Sequence, residues 1–382
     1  MTEALVAAAH PRADALLTVL AVEEPSALCR AVDRWSHDPR AERHVAAAVH
    51  ALRTAPYASG PGLDLLRFTA LTLLARETEP GLHGAALALL VRDRRTRPKH
   101  LQAALDAYAA DDSFVTPEIL GTALDTDQAA VLAAFEARLE RPGAGAAAVL
   151  RVLADALPAD TRAPGTLPDP ATRLAGRLLR ERPERAELVA EYLNRRLALG
   201  TAGPGDLTAL LGAGPVDRPA ALRQTFALVL ATPGPGDEEL RRQFLDRLLA
   251  TERDPAVLAP VLERVATTVD RRDPDRARAV VRRIADAWAH GEGGIERLDA
   301  LLVRCAGRTA GFALLLADWP SDARPPAGGP LLERMRAQVA RGADPQYAAA
   351  EAERAPVRPV IAVPPRAAGV PVPGRQRAHG TL

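Results

Sequence analysis

Apolar residues recur along this chain at helical spacing, and each run is closed by Pro, Gly or Asp-Pro. Between residues 255 and 270, Val257, Leu258, Val261, Leu262, Val265 and Val269 fall on one face of a helical wheel. Glu263, Arg264, Thr267 and Thr268 fall on the other. Asp254 is placed to cap this helix, with Pro255 at its first position, where a missing N–H costs little. Pro260 lies further in and predicts a kink. The next segment opens the same way at Asp273-Pro274 and carries the stripe Ala277, Val280, Val281, Ile284 and Trp288. A third, from Asp237, carries Leu240, Phe244, Leu245, Leu248 and Leu249. Its polar face reads as a ladder of i,i+4 partners, Glu238, Arg242 and Asp246. No segment alternates clearly with the period of two of a half-buried strand.

The punctuation is regular. Gly60-Pro61-Gly62, Gly203-Pro204-Gly205 and Gly234-Pro235-Gly236 each end an apolar run, and an Asp soon follows. Gly suits the left-handed position after a helix, Pro blocks continuation, and Asp caps the next helix. A phosphate loop would need Gly-Lys-Ser/Thr after a strand, and neither is present. The pattern predicts about eighteen helical segments, and consecutive pairs occupy about 35–45 residues, the size of helical-repeat units. The expected organisation is a helical-repeat region over 1–157, a Pro-rich linker over 158–170 and a second repeat region over 171–320. A loop with terminal helices follows over 321–354, then a disordered or polyproline-like tail over 355–382.

The helix-opening turns Asp38-Pro39, Asp254-Pro255 and Asp273-Pro274, together with the internal Pro260, resemble HEAT/armadillo-type repeats over residues 20 to 320. The resemblance implies an all-α, right-handed superhelical stack of antiparallel helix pairs. It further implies a curved scaffold that binds proteins, or occasionally nucleic acid, along one face.

Composition qualifies this picture. Of 49 basic residues all but Lys99 are arginine, and Asn194 is the only asparagine. Residues with A/T-rich codons are depleted together, so arginine richness is largely a genomic background. The net charge is +1, which does not mark a dedicated nucleic-acid binder. After Glu353 no acid remains, and Arg354, Arg358, Arg366, Arg375 and Arg377 give the end +5. Cys29 and Cys305 match no metal spacing and make no disulfide framework, which fits a reducing compartment. The N-terminal apolar run from Leu16 to Val22 is short, and Glu3 and Asp14 spoil the basic flank of a signal peptide. No stretch approaches the ~20 apolar residues of a membrane span. The expectation is a cytoplasmic protein without cofactor.

Candidate chemistry is sparse. His37 and His44 are separated by the Asp38-Pro39 turn, and His44 and His50 point differently, so no metal set is expected. Asp125-Thr126-Asp127 resembles a metal-nucleotide DxD, but both aspartates read as helix caps, as do Asp111 and Asp112. No Gly-x-Ser-x-Gly elbow occurs. The densest basic cluster is Arg271, Arg272, Arg276, Arg278, Arg282 and Arg283. At 100° per residue Arg271, Arg278 and Arg282 share one flank, where they could meet phosphates, whereas the interleaved Asp275 and Asp286 favour a plain solvated face. Trp35 and Trp288 continue apolar stripes and read as core. Trp319, before Pro320 at a helix end, reads as the exposed interface anchor. In the tail, Pro364-Pro365-Arg366 could dock as a polyproline helix, and the simpler reading is a low-complexity tether. The residues expected to bind a partner are therefore Trp319, Arg271, Arg278, Arg282 and Arg366. The function expected is non-catalytic protein–protein scaffolding. Polyanion binding through residues 271–283 is the alternative, and an enzyme on a helical-repeat fold is a further one that no motif supports.

Overall fold

The apolar stripes become helices. The computed structural model of the protein describes residues 13–141, 143, 145–156, 169–212, 218–269, 274–289 and 293–319. Among them there are eighteen α-helices and no strand. The first eight are α1 (Ala13–Glu23), α2 (Pro25–Ser36), α3 (Ala41–Thr54), α4 (Pro61–Leu74), α5 (His83–Arg92), α6 (Arg97–Ala109), α7 (Pro117–Gly121) and α8 (Gln128–Glu140). The next five are α9 (Gly145–Ala156), α10 (Pro170–Glu181), α11 (Ala186–Leu199), α12 (Asp206–Leu211) and α13 (Ala220–Ala231). The last five are α14 (Glu238–Thr251), α15 (Pro255–Thr268), α16 (Pro274–Trp288), α17 (Gly294–Arg308) and α18 (Ala310–Ala317). The Pro-rich linker up to residue 168, the segment 321–354 and the tail 355–382 lie outside the described residues. None of the described helices is long and apolar enough to cross a membrane.

Contacts follow chain order. Along the odd-numbered helices, α1 packs on α3, α3 on α5, and so on without interruption to α17. Among the even-numbered helices α2 packs on α4, α6 on α8, α8 on α10, α10 on α12, and α14 on α16. Sequence neighbours such as α2 and α3, α5 and α6, or α13 and α14 also pack together. The core is aliphatic and runs through the stack. One cluster gathers Leu17, Val32, Trp35, Leu66 and Leu90, and a second runs from Leu87 and Val91 to Trp319. They meet at α5, whose residues 84–91 are all buried, which accounts for its unbroken apolar run. Trp35 and Trp288 are buried, as their stripes require.

The caps match the sequence in part. Asp254 caps α15 by accepting from Ala256 N at 2.9 Å, Asp237 caps α14 through Leu240 N, and Asp127 caps α8 through Ala130 N. Pro260 sits inside α15, which continues past it to Thr268. Asp38 departs from expectation: α3 begins only at Ala41, and the Asp38 carboxylate instead takes the N–H and guanidinium of Arg40. Asp125 caps nothing; it pairs with Arg97 at 2.6 Å and Arg94 at 3.2 Å. Asp112 accepts from Phe114 N and Val115 N and shapes a turn rather than a helix start. Nor does Glu238 meet Arg242 along α14. It reaches Arg276 on α16, and Arg242 pairs with Glu239.

Two glycines set close approaches. Gly236 has φ +93°, and a Cβ there would lie 1.9 Å from the Leu197 carbonyl oxygen. At Gly176 a Cβ would lie 2.4 Å from the Ala209 carbonyl oxygen, so α10 and α12 can meet only over bare backbone.

Candidate interaction surface

The arginines, discounted as background, turn out to be placed. Arg196 is fully buried on α11 and pairs with Asp169 at 2.6 Å and Asp206 at 3.3 Å, uniting α10, α11 and α12. Its guanidinium also donates to Tyr192 Oη at 3.2 Å, and Tyr192 meets Thr172 at 2.9 Å. Burial raises the Asp206 carboxyl above its usual range, against the pull of Arg196. Arg223 on α13 pairs with buried Glu252 at 2.5 Å, and Arg97 donates to the Val91 carbonyl at 2.6 Å besides pairing with Asp125. Arg241 spans to Asn194 at 3.1 Å and to the Val229 carbonyl at 3.2 Å. Each joins one helical hairpin to a neighbour, because a guanidinium can satisfy several carbonyls and carboxylates from one buried point. A signal for them existed: Arg196 is in helical register with Val189, Leu193 and Leu197, and Arg241 with Leu245 and Leu248.

The residues expected to bind a partner fare differently. Trp319 is 1% exposed, which corrects the expectation of an exposed anchor. It closes the core after α18, and the Arg282 guanidinium lies 5.8 Å from its ring centroid. Arg278 pairs with Asp275 at 3.1 Å and donates to the Asp318 carbonyl at 3.2 Å. Arg278 and Arg282 thus converge on residues 318–319, and Arg276 is engaged by Glu238 and the Leu230 carbonyl. Arg271 and Arg366 lie outside the described residues. The histidines do not converge. His44 is buried with Nδ1 2.8 Å from Glu79 and Nε2 against the Asp38 carbonyl, tying two inter-helix turns together. His37 meets the Asp33 carbonyl at 2.9 Å. Among the described residues no three His, Cys, Asp or Glu side chains are grouped to hold a metal ion.

Two grooves lie on the helix surfaces. On the odd row a groove of about 320 Å³ crosses α13, α15 and α17. Leu228, Pro260, Ala266 and Cys305 contribute its apolar part, and Glu263, Arg264, Thr267 and Arg308 its polar part. Ion pairs bridge successive odd helices, Asp155 to Arg195 and Glu263 to Arg304. Burial first, then the Glu263 carboxylate, pushes the Cys305 thiol up to about 11, so it stays protonated and unreactive at neutral pH. On the even row a groove of about 390 Å³ lies between α8 and α10 over Leu139, Leu174 and Leu178, with the Glu136–Arg177 ion pair across it. No protein-family model, curated protein or solved structure matches the chain.

Proposed function

We propose that the protein is a non-catalytic scaffold, a HEAT/armadillo-like right-handed stack of helix pairs that binds a protein partner along the odd-numbered row. The observation that carries this reading is the unbroken close packing of each odd helix on the next, beside an even row that lacks such packing between α4 and α6, between α12 and α14 and between α16 and α18. A two-layered stack bends toward the layer whose members stay in contact, so the odd row lines the concave face. Charge use fits this reading: Asp169, Asp206, Glu252 and Asp125 are tied to arginines that join the helices. Concave faces of this kind bind through many modest contacts, and the mixed groove across α13, α15 and α17 suits that mode.

The test is a photo-crosslinking side chain placed at Arg264 on the odd row, with a matched position at Arg247 on the even row. In the native host, Arg264 is expected to give discrete protein adducts and Arg247 none. Adducts from Arg247 alone would overturn the assignment of the face.

A further inference from the structure

A different place in the fold has the chemistry of a small-ligand site. A cavity of about 220 Å³ lies where α6, α8 and α9 meet the 111–117 turn, lined among others by Tyr108, Asp111, Thr116, Arg138, Gly145 and Ala148. Tyr108 is 6% exposed, and its hydroxyl has no hydrogen-bond partner. A buried hydroxyl left unpaired is destabilising, and a bound acceptor would relieve it. Tyr108 is otherwise well fixed, edge-on to Phe135 with centroids 6.2 Å apart and with the Arg138 guanidinium 5.9 Å from its centroid. Burial holds its hydroxyl as a proton donor, with a pKa pushed up to about 12.

The same cavity receives the N-terminus of α9, through Gly145 and Ala148. First-turn amides have no acceptor within their helix and carry the positive end of its dipole. The residues just ahead, Arg141, Pro142, Gly143 and Ala144, offer no side-chain oxygen to cap them. At Gly145 a Cβ would lie 2.5 Å from Arg138 Nε, so glycine lets the guanidinium approach the helix end.

One carboxylate already answers this charge, under strain. Asp111 has φ +63°, unusual for any residue but glycine, and pairs with Arg138 and with Arg141 at 3.1 Å. Asp112, the other acid here, is engaged by the Phe114 and Val115 amides.

We propose that this cavity binds a small oxyanion, a carboxylate or phosphate group, which takes the Tyr108 O–H, the Arg138 guanidinium and the first amides of α9, and displaces the Asp111 carboxylate from Arg138. The site is independent of the scaffold reading, and either can fail alone.

The test uses the full-length chain at constant ionic strength, titrated with inorganic phosphate, acetate or chloride. Melting temperature and the Gly145 and Ala148 amide resonances are followed. Phosphate or acetate, but not chloride, is expected to raise the melting temperature by mass action and to move those resonances. Whichever of the two acts identifies the group. Asp111→Gly relieves the backbone and removes the competing carboxylate, so it is expected to fold as well and bind more tightly. Tyr108→Phe keeps the packing and is expected to weaken binding about tenfold. Arg138→Gln should abolish it. An absence of response in both the wild type and Asp111→Gly would show a cavity that holds only water and would overturn the proposal. An equal response in Tyr108→Phe and Arg138→Gln would overturn it as well.

Discussion

Single side chains carry more of this structure than their exposure in sequence suggests. Arg196 compensates two carboxylates in a region that excludes water, and removing it strands Asp206, which is 2% exposed. Arg196→Met is therefore expected to cost about 3–5 kcal/mol in chemical denaturation. Arg177→Met, which breaks a half-exposed pair with Glu136, should cost at most about 1 kcal/mol. Equal losses would mean that burial does not set the value of these pairs. His50 gives a pH signature. Burial, then the Arg53 charge, lowers its pKa below 6.5, so the unfolded chain binds its proton more readily than the folded one. Its contribution is fully present above pH 6.5 and is lost as pH falls through the lower folded-state value. The melting temperature should drop between pH 7 and 5, and His50→Gln should flatten that part of the profile. An unchanged profile would place the dependence elsewhere.

At the scale of elements, helix starts and close crossings decide stability. Asp254→Ala removes the cap of α15 and is expected to cost about 1 kcal/mol. Gly236→Ala forces a side chain into the Leu197 carbonyl at positive φ and should cost more than the cap, as measured by the same denaturation. The helices themselves were legible, because a 3.6-residue apolar period survives any tertiary context. The stripes of α14, α15 and α16 are buried as read, apart from Val269, which is half-buried just past the end of α15. The caps were legible where Asp stood directly before a stripe, as at Asp237 and Asp254. They failed at Asp38, whose carboxylate turns to Arg40 two residues on, and at Asp111 and Asp125, because an aspartate between helices can serve an arginine from another hairpin equally well. That choice depends on a neighbour 27–31 residues away along the chain, which local pattern does not carry. Trp319 was misread for the same reason: a tryptophan at a helix end looks exposed until Arg282 on another helix covers it. The cavity at Tyr108 left no trace in sequence, since an orphaned hydroxyl is a property of packing alone.

For the whole molecule the governing feature is that the odd-numbered helices pack each on the next from α1 to α17, and most helices also pack on a neighbour in sequence. A stack coupled in this way should lose structure locally rather than all at once. Val261 is fully buried on α15, the helix that packs on α13 and α17 in the odd row. Replacing it with aspartate buries an unpaired carboxylate at a cost of several kcal/mol. Hydrogen exchange read by mass spectrometry on Val261→Asp tests the coupling directly. Protection is expected to fall across α13 to α18 and to stay at the wild-type level in α1 to α5. A uniform loss of protection from α1 to α18 would show one cooperative core and contradict the stacked architecture on which the proposed binding role rests.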